Sequence, residues 1–306
     1  MPPENSEKSG TLFIRADAES RIGTGHLMRC LALAQAWRRR RRGRVVFLSH
    51  CDSPSLKERI IGEGFFLQPV DHPHPHPSDL EGTLEAVSRR DGNGASPGWL
   101  VLDGYHFDPI YQRAVRESGS RVLVIDDEAK LPRYHADLLL NQNMDAEESA
   151  YSCEGDPRFL LGSTYILLRE EFLRWRDWRR EIPAVAHRVL VTLGGADRNN
   201  VTLKVLDALR LVGASGMEIK VLVGPSNPHL RTLEDAASPF PVGVGVHTEV
   251  KAMPDLMAWA DMAVCAGGTT CWEMAFMGLP NLVIVTADNQ AGVAEALQRR
   301  GCSVNL

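Results

Sequence analysis

The chain lacks the segments that would mark a membrane or secreted protein. None of its apolar runs approaches the roughly 20 residues that span a bilayer. Its opening residues, MPPENSEKSG, have no apolar core of the kind a signal peptide needs. Its six cysteines include no C-x-x-C pair, which argues against a redox or zinc motif. We therefore expect a cytoplasmic protein with reduced cysteines and no membrane span.

Strong charge and metal-binding patterns are also absent. A formal net charge of -5 provides no general attraction to nucleic acid. The basic run at residues 38–42 is expected to be the solvated end of a helix. The histidines of DHPHPHP alternate with proline, which favours an exposed loop over a metal cage. No D-x-D pair occurs to hold a divalent ion on a diphosphate. We expect no metal, no cofactor and no nucleic-acid partner.

The apolar residues that are present form short continuous runs separated by amphipathic stretches. This pattern is typical of parallel strands covered by helices on both faces, so the predicted class is α/β. The first group of runs is TLFIRA, RVVFLS, WLVLD, RVLVID and DLLLN, and the second is RVLVTLGG, IKVLVG, MAVCAGG and NLVIVTAD.

The length of 306 residues allows two domains, each with its own core. A charged segment, LLREEFLRWRDWRREIPAVAHR, separates the two groups of strands and is predicted as a helix ending before Pro183. The predicted domains are therefore residues 1–182 and 183–306.

Polar residues follow the predicted strands in both halves. In open parallel sheets, ligands bind at the carboxyl ends of strands. If the two sheets face each other, these loops meet in one cleft that suits a large polar ligand. The residues concerned are Asp103, Tyr105, Asp126, Asp127 and Asn141 in the first half, and the loops LGGAD, AGGTTCWE and TADNQ in the second.

A histidine stands at the predicted start of the first helix, in RIGTGHLMRC. A dinucleotide fingerprint would need a third glycine where Met28 stands, so that interpretation is weak. His26 could simply hydrogen-bond a neighbouring carbonyl. Alternatively, the positive end of the helix disfavours imidazolium, and a neutral His26 is able to accept a proton.

Two glycine turns in the second half are candidates for binding a diphosphate. In AGGTTCWE, Gly267 and Gly268 permit close backbone approach, and Thr269 and Thr270 add hydroxyl groups at a helix start. The alternative is a capping box of Thr270 with Glu273, whose carboxylate could instead accept from ribose hydroxyls.

The second glycine turn, LGGADRNN, contains Gly194 and Gly195. Its polar residues Asp197, Asn199 and Asn200 could alternatively serve only as turn and cap residues. Two turns rich in N–H groups in one domain favour a nucleoside diphosphate over a single phosphate. No Walker A pattern occurs, which disfavours ATP hydrolysis of that type.

These motifs together resemble a known family. RADAESRIGTGHLMRCLALA, DGYHFD, LLNQN, YILLREEF, LVTLGGADRNN, AGGTTCWEMAFMGLP and ADNQ are similar, in order, to the PseG-type sugar-nucleotide hydrolases of pseudaminic acid biosynthesis. The spore-coat polysaccharide proteins are similar too, and the MurG glycosyltransferase more distantly. The resemblance implies a GT-B fold with two Rossmann-like domains facing a cleft. It also implies metal-free hydrolysis of UDP-2,4-diacetamido-2,4,6-trideoxy-β-L-altropyranose, with anomeric inversion.

The resemblance also assigns roles to residues. His26 would activate water, the AGGTT loop with Glu273 would hold UDP, and Tyr105, Asn289 and Gln290 would address the sugar. For Asn289 and Gln290 a plain polar turn is the alternative. The loop near Val246 is a guess for the nucleobase.

The implied partners are the UDP-sugar and UDP, in nonulosonate and cell-surface polysaccharide synthesis such as flagellin glycosylation. A MurG-like glycosyltransferase or a non-catalytic sugar-nucleotide sensor stays open, and the oligomeric state is not predicted. The chain stops at RRGCSVNL, where the family continues through a further helix, so a shortened C-terminal end is expected.

Overall fold

The computed structural model describes residues 10–19, 23–41, 43–89, 98–212, 216–224, 227–238, 243–248, 250 and 252–306. These residues form two compact units, the first of residues 10–19 and 26–169, the second of residues 23–25 and 170–306. The opening nine residues and Arg42, which carried expectations above, lie outside the described residues. Among the described helices, none has the length and apolar character needed to cross a membrane.

The first unit contains a seven-stranded parallel sheet in the order β3-β2-β1-β4-β5-β6-β7. Its central strands match the apolar runs of the sequence, whereas the edge strands β3 and β7 are short, partly exposed and were not predicted. The strands are β1 (Leu12–Ala16), β2 (Val45–Ser49), β3 (Phe66–Pro69), β4 (Trp99–Asp103), β5 (Arg121–Ile125), β6 (Leu138–Asn141) and β7 (Arg158–Leu161).

Among the described residues of this unit, four α-helices cover the sheet: α1 (Gly25–Arg41), α2 (Pro54–Gly62), α3 (Pro77–Ser88) and α4 (Pro109–Glu117). Helices α2, α3 and α4 each begin with proline, whose missing N–H costs nothing at that position. Asp108 caps α4 by accepting a hydrogen bond from Tyr111 N at 2.8 Å. At the end of α1, Arg38–Arg40 are exposed, as expected for a solvated last turn.

Alternate residues of the strands enter different cores on the two faces of the sheet. Ile14 and Val101 pack with Leu27 and Leu31 of α1. Leu100 and Leu102 join a second cluster that includes residues of α4. Because both faces are covered, the strands are apolar along their whole length, which is why they are recognisable in the sequence.

The second unit contains a six-stranded parallel sheet in the order β10-β9-β8-β11-β12-β13. With the first sheet it confirms the α/β class. Its strands are β8 (Arg188–Thr192), β9 (Glu218–Leu222), β10 (Val244–His247), β11 (Met262–Ala266), β12 (Asn281–Ile284) and β13 (Val304–Asn305). Its helices are α5 (Glu170–Leu173), α6 (Val201–Val212), α7 (Leu230–Ala237), α8 (Met253–Trp259), α9 (Thr270–Phe276) and α10 (Ala291–Arg299).

The charged segment between the two groups of strands differs from its prediction. Only Glu170–Leu173 is α-helical, and the rest continues as turns and irregular chain. Arg180 attaches this segment to the second unit by donating to the carbonyls of Met257 at 2.6 Å and Met277 at 3.1 Å, and to that of Ala260. The division between the units therefore falls at 169/170, whereas the sequence interpretation placed it at 182/183.

Each sheet reverses its strand order once beside its first strand. In the first unit the reversal lies between β1 and β4, and in the second it lies between β8 and β11. Loops that leave such adjacent strands in opposite directions open a crevice at the carboxyl end of the sheet. The histidine loop follows β1, and the two glycine turns follow β8 and β11. The predicted site loops therefore occupy the usual ligand-binding positions of their own sheets.

Candidate active site

His26 lies in the first turn of α1 and is 8% exposed. Its Nδ1 is 2.7 Å from Oδ1 of Asp103, the last residue of β4. The two meet because Ala16 is paired with Asp103 in the parallel register of β1 and β4, and the histidine loop follows β1 directly. A carboxylate accepts the Nδ1 proton of a neutral imidazole, which leaves Nε2 with the lone pair. This arrangement suits a general base.

Asp103 is fully buried and accepts hydrogen bonds from several donors. Arg29 donates Nε to Oδ2 at 2.7 Å and Nη2 to Oδ1 at 2.6 Å, and Cys30 donates its thiol to Oδ2 at 3.3 Å. Burial by itself raises the pKa of Asp103, but the charge of Arg29 and the hydrogen bonds from Arg29 and His26 outweigh it and hold that pKa well below its usual range. Asp103 is therefore an anion that orients His26.

Arg29 joins two carboxylates and was missed by the sequence interpretation. Besides Asp103, it donates Nη1 to Oδ2 of Asp127 at 2.6 Å. It follows His26 by three residues in α1 and so projects from the same side of the helix. Its Nη2 lies 3.2 Å from His26 Nδ1. A charged residue inside the apolar run LMRCLALA was the available signal.

Tyr105 lies beside His26, as a residue of one binding site would. The two rings are edge to face with centroids 4.9 Å apart. The Tyr105 hydroxyl donates to Asp127 Oδ2 at 3.2 Å, and the side chain is 40% exposed. The loops after β1, β4 and β5 thus bring an imidazole, a phenol and two carboxylates together.

A second buried charge cluster is centred on Arg15, a residue of β1. Arg15 is fully buried, donates to Asp17 Oδ2 at 2.9 Å and to Asp79 Oδ1 at 3.0 Å, and was not singled out in the sequence. Burial raises the pKa of Asp17, but hydrogen bonds from His106 and Arg15 outweigh it and lower the pKa to about 2. Asp17 is therefore a buried ion-pair partner of Arg15.

The histidine-rich loop of residues 71–77 is mostly exposed, in agreement with its prediction. His74 Nε2 is 3.2 Å from Asp108 Oδ2, and the His76 ring lies 4.8 Å from that of His72. Across the part of the chain that the structure describes, no group of three or more His, Cys, Asp or Glu side chains is placed to hold a metal ion.

In the second unit, the glycine turn after β8 is in direct backbone contact with the loop after β9. A Cβ atom on Gly224 would lie 2.4 Å from both Cα and O of Gly195, so this crossing requires glycine. Gly194 has a φ of 87°. Asp197 accepts from the amides of Val201 at 2.8 Å and Thr202 at 2.9 Å, so its carboxylate serves as the cap of α6.

In the glycine turn after β11, a side chain would be crowded at one glycine and would have open space at the other. A Cβ on Gly267 would lie 3.0 Å from Gln290 Cβ, whereas one on Gly268 would meet nothing within 4 Å. Helix α9 starts at Thr270 and its N-cap is Thr269, for which no side-chain cap hydrogen bond is found among the described residues. The capping box of Thr270 with Glu273, which was the alternative to anion binding, would need Thr270 at the N-cap, whereas Thr269 occupies that position.

The segment after β12 forms a 3₁₀ turn over Asp288–Gln290. The Gln290 side-chain oxygen accepts from Thr286 N at 2.9 Å and Thr286 Oγ1 at 3.0 Å, so it takes part in the turn. Asn289 is exposed. Val246, guessed to lie in a nucleobase loop, is instead a residue of the edge strand β10.

Residues 23–25 cluster with the second unit and contact both of its glycine turns. A Cβ built on Gly25 would be 3.5 Å from Thr269 Oγ1, and one built on Gly195 would be 3.3 Å from Thr24 Oγ1. Thr24 and Gly25 are thus packed against the two glycine turns within the second unit.

Comparisons with known proteins identify relatives of this chain. Residues 188–306 match the model of the glycosyltransferase family 28 C-terminal domain. The chain is 25% identical to the UDP-2,4-diacetamido-2,4,6-trideoxy-beta-L-altropyranose hydrolase of Campylobacter jejuni, over 96% of this chain and 98% of that protein. It is 23% identical to the spore coat polysaccharide biosynthesis protein SpsG of Bacillus subtilis, over 64% of this chain and 58% of that protein. These matches confirm the resemblance found in the motifs.

The fold is also shared with solved structures. MurG of Acinetobacter baumannii superposes with a TM-score of 0.61 at 14% identity, covering 97% of this chain and 86% of that one. The two Rossmann-like units therefore have the GT-B fold. The chain spans 55% and 58% of the length of two curated relatives that it matches.

Proposed function

We propose that this chain hydrolyses a UDP-sugar, with His26 as the general base. The observation that carries the proposal is the 2.7 Å contact of His26 Nδ1 with the buried, anionic Asp103. A histidine that only fills space needs no such partner. Burying the Asp103 carboxylate costs desolvation energy that its ion pair repays only in part, and its retention beside His26 supports a functional role. Similarity to the Campylobacter hydrolase supports UDP-2,4-diacetamido-2,4,6-trideoxy-β-L-altropyranose as the substrate.

The chemical step requires one proton acceptor. The water oxygen forms a bond to the anomeric carbon while the bond from that carbon to the diphosphate oxygen breaks, and its electron pair leaves with UDP. The water proton passes to His26 Nε2, and Asp103 stabilises the imidazolium that results. Attack on the face opposite the leaving group inverts the anomeric centre.

The second unit supplies the site for the leaving group. Amide groups of the AGGTT loop at the start of α9 would meet the charge that develops on UDP, and the open space at Gly268 lets the diphosphate approach the backbone. Gly194 and Gly195 would add a second N–H-rich turn. Glu273 would accept from the ribose hydroxyls. With these donors no metal is needed.

Tyr105, Asn289 and Gln290 would bind the sugar. Tyr105 is suited to this because it is exposed and packs against His26. Asn289 is exposed and would offer its amide. Gln290 already uses its side-chain oxygen in the turn, so its NH₂ group would be the one that binds.

A glycosyltransferase is the second candidate, favoured by the family 28 match of residues 188–306 and by the MurG fold. It would use the same donor site and the same base, with an acceptor hydroxyl in place of water. A non-catalytic sensor is disfavoured because it has no use for a His–Asp pair. We further propose that the protein acts in the cytoplasm, in nonulosonate synthesis for cell-surface polysaccharide or flagellin.

A single incubation separates these functions. The protein is incubated with the UDP-sugar in excess EDTA and without any acceptor, and the products are followed by NMR. We expect free sugar and UDP in equal amounts, with the inverted anomer formed first. Turnover that appears only when an acceptor is added would favour the transferase, and turnover that needs added magnesium or manganese would contradict metal-free chemistry.

A further inference from the structure

The charges around His26 are unequal in number. Asp103 and Asp127 carry two negative charges, and the buried Arg29 carries one positive charge. Arg29 lies between the carboxylates, at 2.6 Å from each, and its Nη2 is also 3.2 Å from His26 Nδ1. The three residues together carry one net negative charge. The cluster therefore becomes neutral when His26 is protonated.

Asp127 supplies the charge that makes this balance possible. Without it, Asp103 and Arg29 would cancel each other, and protonation of His26 would leave one uncompensated positive charge in a buried site, where repulsion between the imidazolium and the guanidinium is poorly screened. Asp127 does not hydrogen-bond His26; its Oδ2 accepts from Arg29 and from the Tyr105 hydroxyl. Its side chain is 13% exposed, so its charge is only partly solvated.

The other described groups that face His26 do not change this net charge. Cys30, on the same helix, donates its thiol to Asp103, and burial raises the pKa of that thiol, which keeps it neutral. Tyr105, from the loop after β4, presents a ring edge and gives its hydroxyl proton to Asp127. Among the described residues of the first unit, the charged groups that these contacts connect to His26 are thus Asp103, Arg29 and Asp127.

We propose that Asp127 is a positioning residue that acts on His26 through Arg29, holding the guanidinium and offsetting its charge so that the imidazolium formed on proton transfer is stabilised. The inference rests on His26 being the base, as proposed above. It predicts a residue that alters catalysis from beyond hydrogen-bonding distance of the reacting groups.

The test is Asp127→Asn, which keeps an oxygen for Arg29 and Tyr105 but removes the charge. We expect kcat to fall about tenfold, the scale of one pKa unit, with UDP affinity unchanged. Asp127→Glu should recover most of the loss. In the His26→Asn background Asp127→Asn should have no further effect, because the coupled group is gone. Asp127→Ser makes the same comparison if the Asn variant does not fold.

Glu128→Gln is the matched control, since it removes a charge from the same loop that is paired with Lys130, and it should leave kcat unchanged. If Glu128→Gln reproduces the whole loss, or if Asp127→Asn costs as much without His26 as with it, the inference is wrong and Asp127 merely holds the loop.

A measurement on the free protein separates this inference from the proposed function. The protonation of His26 is followed by NMR as the pH falls, with the signal assigned by its loss in His26→Asn. We expect the imidazolium to form at lower pH in Asp127→Asn than in the wild type. Identical titrations would overturn the inference even if hydrolysis were confirmed, whereas a shifted titration in a protein that hydrolyses nothing would leave it intact.

Discussion

The loops at the carboxyl ends of the two sheets are built from different chemical groups. In the first unit the loops after β1, β4 and β5 carry buried charged side chains that bond one another, as in the contacts of Arg29 with Asp103 and Asp127. In the second unit the loops after β8 and β11 are built around glycines whose backbones approach other atoms closely, as Gly195 approaches Gly224. One unit presents side chains and the other presents main chain.

This difference fits the two tasks of the proposed function. Proton transfer needs a group whose protonation state and direction are controlled, and buried charges provide both. Binding a diphosphate needs several N–H donors at short range, and a backbone without Cβ atoms provides them. Substitutions in the first unit should therefore change turnover, and substitutions in the glycine loops should change affinity.

The largest expected effect is that of His26→Asn. Asparagine keeps a polar side chain of similar reach but cannot take the proton, so turnover should fall by about 10²–10⁴-fold while UDP affinity is nearly unchanged. Steady-state kinetics and calorimetry with UDP measure the two quantities. His72→Asn, at an exposed loop position, is the control and should turn over normally. Near-normal turnover of His26→Asn would return this residue to a structural role.

Glu273→Gln tests whether the second unit binds UDP through this carboxylate. If the carboxylate accepts from ribose hydroxyls, UDP binding should weaken by about 1.5–3 kcal/mol, the scale of hydrogen bonds to a charged group, with little change in melting temperature. Glu295→Gln, on α10 of the same unit, is the control and should leave both unchanged. A lowered melting temperature with unaltered affinity would mean that Glu273 stabilises α9 and does not bind ribose.

The buried charges of the first unit should make the free energy of unfolding depend on pH in acid. The pKa of Asp17 is about 2 in the fold and about 3.9 in an unfolded chain, so its ionised form stabilises the fold above pH 4 and this stability is lost as the pH falls toward 2. The difference in unfolding free energy between wild type and Asp17→Asn should narrow by about 2 kcal/mol over that range. Urea unfolding measures it. Asp52→Asn, at an exposed carboxylate, should show no such narrowing, and a constant difference for Asp17→Asn would contradict the account.

Gly268→Ala should have the smallest effect on UDP binding. It should also separate affinity from stability most clearly. An added Cβ meets nothing within 4 Å in the protein, so the fold should tolerate it, but it would stand where a ligand approaches the backbone. We expect UDP binding to weaken by about 1 kcal/mol, the net value of one hydrogen bond. Gly292→Ala also adds a Cβ in open space and should leave UDP binding unchanged. Equal affinities for both variants would argue against a diphosphate at this turn.

The sequence and structure agree most closely where burial is complete. Strands such as β4 and β11 are covered on both faces, so their apolar runs predict them within a residue or two. The edge strand β3 has an exposed phenylalanine and was missed because its run is neither continuous nor alternating. The predicted charged helix failed because Arg180 bonds to carbonyls of the second unit, which is a tertiary contact without a local signal.

The candidate site was predictable in its loops but not in its connections. The position of His26 at a helix start and the two glycine turns follow from local patterns of residues. The contact of His26 with Asp103 joins residues 77 positions apart and depends on the parallel register of β1 and β4. Arg29 and Arg15 looked like unremarkable charges within apolar runs. Their roles follow only from the carboxylates that the fold brings to them.

The central claim is that His26 directs water to the anomeric carbon, and it is tested most directly by isotope labelling. The reaction is run in ¹⁸O-water with the UDP-sugar, and both products are examined by mass spectrometry. The account predicts label in the released sugar and none in UDP, because the carbon–oxygen bond breaks. Label in UDP would mean that water attacks phosphorus, and it would contradict the role proposed for His26.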